Sequence, residues 1–230
     1  MKSDQFQRTI LLLGTDGFRR LQRAHVTVVG CGAVGGFAIE ALVRAGVGHL
    51  TLIDGDTVAP SNINRQLCAL HSTLEKYKTR VWAERIHDIC PTTKVTTHET
   101  FLHTDNASAL LSADTDYIID AIDSVPDKVA LNLYAKENRI PLISSMGAAM
   151  RTDMTQIRIA PLNQTCVCPL AARIRKLVKA QGGDLSMPCV FSTEPPAGTQ
   201  MPGRQMGSLV SLTGLFGLML ANAVIQRIAK

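Results

Sequence analysis

A short β-branched run, Val26 to Val29, leads straight into Gly30-Cys31-Gly32-Ala33-Val34-Gly35 and then into an amphipathic stretch ending at Ala45. Extended apolar residues, closely spaced glycines and a helical period in that order read as strand, tight turn, helix. Gly46-Val47-Gly48 stops the helix, and His49 to Ile53 returns as a second apolar strand ending in Asp54. The unit is about thirty residues long, the size of a crossover between parallel strands. The expected fold class is therefore α/β: a Rossmann-like, doubly wound, mostly parallel sheet with helices on both faces, plus a C-terminal extension.

The same glycines carry chemistry. Gly30, Gly32 and Gly35 form G-x-G-x-x-G between strand and helix, with Asp54 about twenty residues on. A helix N-terminus offers unpaired N–H groups to a phosphate, and glycines let that phosphate approach. A carboxylate at the end of the next strand can accept hydrogen bonds from ribose hydroxyls. The bland alternative is that the glycines serve only helix-to-strand packing. On the motif alone NAD is the first choice of nucleotide, with an oxidoreductase as the matching enzyme.

Further elements follow the pattern. Glu75 to Ile89 reads as a helix, Lys94 to His98 as an edge strand, Ala107 to Leu111 as a short helix, Tyr117 to Ile122 as a buried strand closing on Asp123, Lys128 to Asn138 as a helix and Pro141 to Ser145 as a strand. Beyond Met150, Thr155 to Ile159 alternates and Leu170 to Ala180 is a basic helix. Gly182 to Gly207, rich in Gly and Pro, is expected to be a mobile loop or lid. The 230 residues are read as one domain, with a nucleotide-binding core at 1–150 and a basic extension at 151–230. Residues 1–150 carry 15 basic and 16 acidic side chains, whereas 151–230 carry 9 and 3, with Arg173, Arg175, Lys176 and Lys179 in one window. Such a patch either attracts nucleic acid or is a solvated helix face. No charge lies between Arg204 and Arg227, but six polar side chains and three glycines favour a core or subunit-interface helix over a membrane-associated one. Gly214 and Gly217 would permit close helix packing. Six scattered cysteines and an N-terminus without an apolar signal core point to free thiols and a cytoplasmic protein. The six histidines show no metal-ligand spacing and receive no role.

The residues after Asp54 change the choice of nucleotide. Asp54-Gly55-Asp56-Thr57-Val58-Ala59-Pro60-Ser61-Asn62-Ile63-Asn64-Arg65-Gln66 resembles the D-x-D-x-V-x-x-S-N-x-N-R-Q signature of the ThiF and MoeB group, the ubiquitin-activating-enzyme-like superfamily. That resemblance implies ATP-dependent adenylation of a carboxylate. Arg65 is a fixed guanidinium fork suited to phosphate oxygens, with Asn62 and Asn64 able to orient it and Gln66 beside it. Lys78 stands where the superfamily keeps a lysine for the ATP phosphates, although the Gly and Pro usual before it are Glu75 and Tyr77 here. Ala121-Ile122-Asp123-Ser124 matches the strand end whose aspartate coordinates Mg²⁺. Phe6 to Leu12 resembles a segment whose arginine, here Arg8, reaches the γ-phosphate of ATP in a neighbouring subunit. The resemblance thus implies ATP and Mg²⁺ as cofactors and a homodimer as the working unit.

Carrier-activating members usually hold zinc on two C-x-x-C pairs. This chain has one C-x-C, Cys166-Val167-Cys168, and no structural zinc is expected. Gln156 to Ile159, Pro169 to Leu177 and Cys189-Val190-Phe191-Ser192-Thr193-Glu194 instead resemble the branch that dehydrates threonylcarbamoyladenosine in tRNA. The implied activity is adenylation of the threonyl carboxylate followed by cyclisation. Adenylation of a ubiquitin-like sulfur carrier is the alternative, and a non-catalytic scaffold is disfavoured by the intact motif residues. The implied partner is tRNA, with room for a small sulfur-transfer or electron-transfer protein. Cys189 is read as a buried small hydrophobe rather than an acyl acceptor, because no His or Lys lies near it in sequence.

Overall fold

The computed structural model describes residues 3–197 and 206–230. Its strands are β1 (His25–Val29), β2 (His49–Ile53), β3 (Lys94–His98), β4 (Tyr117–Asp120), β5 (Leu142–Ser145), β6 (Ile157–Pro161) and β7 (Pro188–Ser192). They form one seven-stranded sheet in the order β3-β2-β1-β4-β5-β7-β6, parallel except where β6 pairs β7. The helices are α1 (Gln7–Arg23), α2 (Gly35–Ala45), α3 (Lys78–Ile89), α4 (Ala107–Leu110), α5 (Val125–Asn138), α6 (Pro169–Ala180) and α7 (Val210–Ala229).

Strands covered on both faces have to be apolar at every position rather than at alternate ones. Val26, Val28, Leu50, Leu52, Ile119 and Ile143 face the core shared with α2, α3 and α7, while Ile53, Ile118, Leu142 and Phe191 face the core shared with α5 and α6. The doubly wound fold is therefore as the sequence implies. The order reverses between β1 and β4, and a cleft opens there at the carboxyl ends of the strands, where such sheets bind ligands.

Two elements depart from the sequence reading. Gly182 to Gly207, expected as a mobile loop or lid, contains β7, an interior strand between β5 and β6. Cys189 and Phe191 enter one core and Val190 the other, so burial on both faces fixes a segment whose Gly and Pro content suggests a loop. Residues 198–205 of that stretch lie outside the described residues. The second is α1, over residues to which the sequence reading assigned no element. Phe18 and Leu21 anchor its second half, and Gly14, at φ +74°, kinks its first.

The apolar C-terminal stretch is a core helix for half its span. It is long and apolar enough to cross a membrane, but Leu212, Phe216, Leu220 and Val224 are buried. A methyl group at Gly217 would stand 2.2 Å from the Val34 carbonyl oxygen, and one at Gly214 3.0 Å from the Phe37 ring, so the two glycines set the close crossing of α7 on α2.

At the amino ends of β1 and β2 the sheet brings together two histidines far apart in sequence. The rings of His25 and His49 stack 3.7 Å apart, with Asp114 beside them. His25 also bonds Thr51 and Asp114, and His49 bonds Thr96. Burial and the neighbouring His25 push His49 down to about 4.

Candidate active site

The glycine turn is built by three different constraints. Gly30 has φ +89°, and a Cβ there would lie 2.7 Å from the Ala121 carbonyl oxygen. A Cβ on Gly35 would fall 1.8 Å from the Gly30 carbonyl oxygen, so this glycine brings α2 against β1. At Gly32 the nearest neighbour is the Gln66 side chain at 3.6 Å. Its missing side chain keeps space open in the cleft instead of relieving a clash, which makes Gly32 the position a phosphate would use. Trp82 Nε1 donates to the Cys31 carbonyl at 3.2 Å and fastens the turn from behind.

The cleft has a volume of about 670 Å³, and its walls include Gly30, Gly32, Asp54, Asp56, Asn62, Arg65, Gln66, Lys78 and Asp123. Most residues singled out by sequence thus converge, although they span more than ninety positions of the chain. Three do not line it. Gly35 lies behind the turn. Asn64 stands outside and orients Arg65, whose Nη1 donates to Asn64 Oδ1 and to the Ser61 carbonyl, each at 2.9 Å. Arg8 sits on the first turn of α1, in a separate hollow against Asn222, Ile225 and Gln226 of α7. Asn62 does not orient Arg65; its Oδ1 accepts the Ala59 N–H at 3.2 Å and shapes the loop.

The carboxylates differ in what they have left to offer. Asp54 accepts the Cys31 N–H at 2.7 Å and the Asp56 N–H at 2.8 Å, tying the glycine turn to the next loop. Burial pushes its carboxyl upward, against the pull of Lys78. Asp56 pairs with Lys78 at 2.6 Å, holding a lysine side chain only 5% exposed at the cleft wall. Asp127 is held by His103 Nδ1 at 2.9 Å, a pairing that raises the histidine. Asp123 is exposed and forms no ion pair among the described residues. Four carboxylates and two cations line the cleft, so a polyphosphate entering it needs further positive charge. Asp123 is the oxygen donor available to a hard divalent cation.

The loop leading to Lys78 keeps its shape with unusual residues. Glu75, where the superfamily has glycine, has φ +67°, and Tyr77, where it has proline, has φ −57°. Both carry the backbone angles of the residues they replace.

The ThiF family model matches residues 6–230. The tRNA threonylcarbamoyladenosine dehydratase of Haemophilus influenzae is 38% identical over 94% of this chain and 89% of that protein. Crystal structures of the Escherichia coli tRNA N6-threonylcarbamoyladenosine dehydratase, TcdA, superpose over 98% of this chain and 94% of theirs. The complex with AMP does so at a TM-score of 0.93 and 39% identity, and the complex with ATP at 0.92 and 38%. The chain belongs to the ThiF family.

In this ThiF chain the structure also brings in residues that motif reading misses. Phe101, Leu102, Asp127, Ala149, Ser208 and Thr213 line the cleft from four separate segments, and only the tertiary fold assembles them. Behind Asp123, Lys128 and Asp120 form a fully buried ion pair at 2.9 Å, with Ser144 Oγ bonded to both. Asp120 also accepts the Ile122 N–H, which braces the backbone that carries Asp123. The D-A-I-D spacing was the available signal for Asp120. Cys189 is fully buried next to this group, and burial pushes its thiol up to about 12. That makes it a small hydrophobe at neutral pH. In the basic window, Arg175 is half-buried and donates to the Thr165 carbonyl and hydroxyl, so the exposed face of α6 carries Arg173, Lys176 and Lys179.

Proposed function

We propose that this chain uses ATP to adenylate the threonyl carboxylate of threonylcarbamoyladenosine in tRNA and releases a cyclic, dehydrated nucleoside. The observation that carries the reading is the convergence of Gly32, Arg65, Lys78 and Asp123 on one cleft, in a chain similar over nearly its whole length to enzymes named for that reaction.

A carboxylate is a poor electrophile because oxide is a prohibitive leaving group. In the first step a carboxylate oxygen bonds to the α-phosphorus and the bond to the β-phosphate oxygen breaks, releasing pyrophosphate. Negative charge grows on phosphate oxygens, and Arg65, fixed by Asn64 and Ser61, together with Lys78, fixed by Asp56, is aimed at the region where they would lie. The glycine turn gives the phosphates N–H donors, and each Asp54 oxygen keeps lone-pair capacity for a ribose hydroxyl. Asp123 is the residue that would hold Mg²⁺, which supplies charge neutralisation for a triphosphate. In the second step the carbamoyl group of the same nucleoside attacks the acyl carbon and AMP leaves, so the net loss from the nucleoside is one water. That closure is intramolecular, and proximity can contribute about 7 kcal/mol or more.

Arg8 lines a separate hollow and not this chain's own cleft, which suits a role toward the γ-phosphate in a second copy, so the working unit is a homodimer. The exposed face of α6 would meet the tRNA backbone, and the enzyme acts in the cytoplasm. The test is incubation with ATP, Mg²⁺ and tRNA bearing the modified adenosine, followed by mass spectrometry of the nucleosides. The expected product is lighter by one water, and Arg65→Ala reduces its formation by on the order of 10²-fold or more. An unchanged nucleoside, with ATP consumed only when a small carrier protein is added, overturns the assignment.

A further inference from the structure

We propose that a second cleft, at the opposite pole of the sheet, is a phosphate-binding site that grips the tRNA backbone away from the reacting nucleoside. The inference rests on the tRNA reading above.

This cleft, of about 420 Å³, opens at the amino ends of β4, β5 and β7, whereas the nucleotide cleft lies at the carboxyl ends of β1, β2 and β4. Lys136 and Arg139 reach it from the end of α5, Arg227 from the last turn of α7, and Asp184 is its one carboxylate. Asp184 Oδ1 is occupied by the backbone N–H and hydroxyl of Ser186. Neither Arg139 nor Arg227 pairs with a carboxylate among the described residues. The cleft therefore gathers three cations with little internal neutralisation, a setting that attracts anions.

Tyr117 marks the floor. The residue is 8% exposed, and among the described residues nothing hydrogen-bonds its hydroxyl, a phenol whose pKa burial raises against the pull of Arg227. Arg139 has φ +57° at the C-terminus of α5, a position that glycine or asparagine fills with less strain. The chain keeps arginine there, and the strained backbone turns the residue into the wall of the cleft.

The occupant follows from what adjoins the cleft. Helix α6 begins beside Gly147, just beyond the carboxyl end of β5, where a Cβ would meet Cys168 Sγ at 3.5 Å. It ends beside the second cleft, where Lys136 Nζ bonds the Gly182 carbonyl at 2.7 Å. Arg173, Lys176 and Lys179 recur every three residues on its exposed face, over a helix about 18 Å long. No acidic residue occurs between Asp153 and Asp184. A free phosphate would need only the cleft. A stripe of cations running along α6 from beyond the carboxyl end of β5 to the second cleft fits a polymer with regularly repeated phosphates.

The test is fluorescence anisotropy of the full chain with tRNA bearing the modified adenosine, across a range of salt concentrations. The variants are Arg139→Asn with Arg227→Gln, and separately Tyr117→Phe; asparagine suits the backbone at 139, and phenylalanine keeps the packing at 117. The double variant is expected to bind tRNA about tenfold more weakly and to lower the slope of log K against log salt by about one to two, as expected for one or two lost phosphate contacts. Tyr117→Phe shifts affinity in the same direction by less, and ATP affinity is the same in all forms. An unaltered slope overturns the proposal, as does an equal loss of ATP affinity. So does stabilisation by inorganic phosphate that disappears in the double variant while tRNA binding is unaltered, since that marks a free-anion site. Wild-type protein that binds no tRNA at any salt sinks the functional reading itself; wild-type binding with unaffected variants sinks the second cleft alone.

Discussion

The two sides of the sheet are determined in different ways. On the side built from β1, β2 and β4, single residues dictate the geometry, as where Gly30 takes φ +89° and Gly35 clears the way for the Gly30 carbonyl. On the side built from β5, β7 and β6, no comparable local signal exists. Strand β7 lies inside the sheet because Cys189, Val190 and Phe191 find two hydrophobic cores to enter. A nucleotide cleft requires backbone atoms placed to a fraction of an ångström, which short motifs can encode. A sheet interior requires buried area, which many sequences can supply.

The sharpest way to break this contrast is to add a methyl group at each of two glycines three positions apart. Gly35→Ala drives a Cβ to 1.8 Å from a carbonyl oxygen, and should cost about 4 kcal/mol or more, or yield no folded protein. Gly32→Ala meets only a flexible Gln66 at 3.6 Å, so its Tm should be close to that of the parent while ATP affinity falls on the order of tenfold. Thermal melts with and without ATP separate the two. Equal destabilisation by both would mean that Gly32 serves packing after all.

A second test concerns the amino pole, where the stacked histidines lie. His49 has a folded pKa of about 4, below the value of an exposed histidine, so the unfolded chain binds the proton more readily. Stability contributed there is fully present above about pH 6.5 and is lost as pH falls towards 4, by on the order of 1 kcal/mol once solvent screening of the half-buried ring is allowed for. His49→Gln should flatten the dependence of Tm on pH across that window. An identical slope in the variant would remove His49 from the account.

Smaller effects are expected at the two sites where residue type and environment disagree. Cys189→Ala should cost about 1 kcal/mol in stability and leave turnover near the parent level, since a thiol at about 12 is no nucleophile at neutral pH. With a thiol-reactive dye at pH 8, exposed Cys166 should react fast and Cys189 only on unfolding. Loss of turnover comparable to Lys78→Ala would return Cys189 to the chemistry. Glu75→Gly should stabilise the protein by about 0.5–1 kcal/mol, because φ +67° strains any side chain but is ordinary for glycine. A destabilised variant would show that the Glu75 side chain contributes contacts that outweigh the strain.

Much of the site was legible because its parts are local. The glycine turn, Asp54, Arg65 and Asp123 each occupy a strand end or the loop after it, and placing one strand beside the next brings them together. The placement of Arg175 and Asn62 was not legible: both have the residue type for ligand contact, yet one braces Thr165 and the other shapes its own loop. Residue type says what a side chain can bond. The neighbours that reach it first decide what it does bond.

The sequence by itself determined the parallel sheet, the nucleotide turn and the charge contrast between the two parts of the chain. Each is written in short-range periodicity, in glycine spacing or in a simple count, and none requires knowing which distant residues meet. Only the tertiary structure decided that β7 is an interior strand, that Lys128 and Asp120 are buried together behind Asp123, and that Arg139, Arg227 and Tyr117 share a cleft. Those outcomes depend on packing between segments tens of residues apart, where burial free energy outweighs local preference.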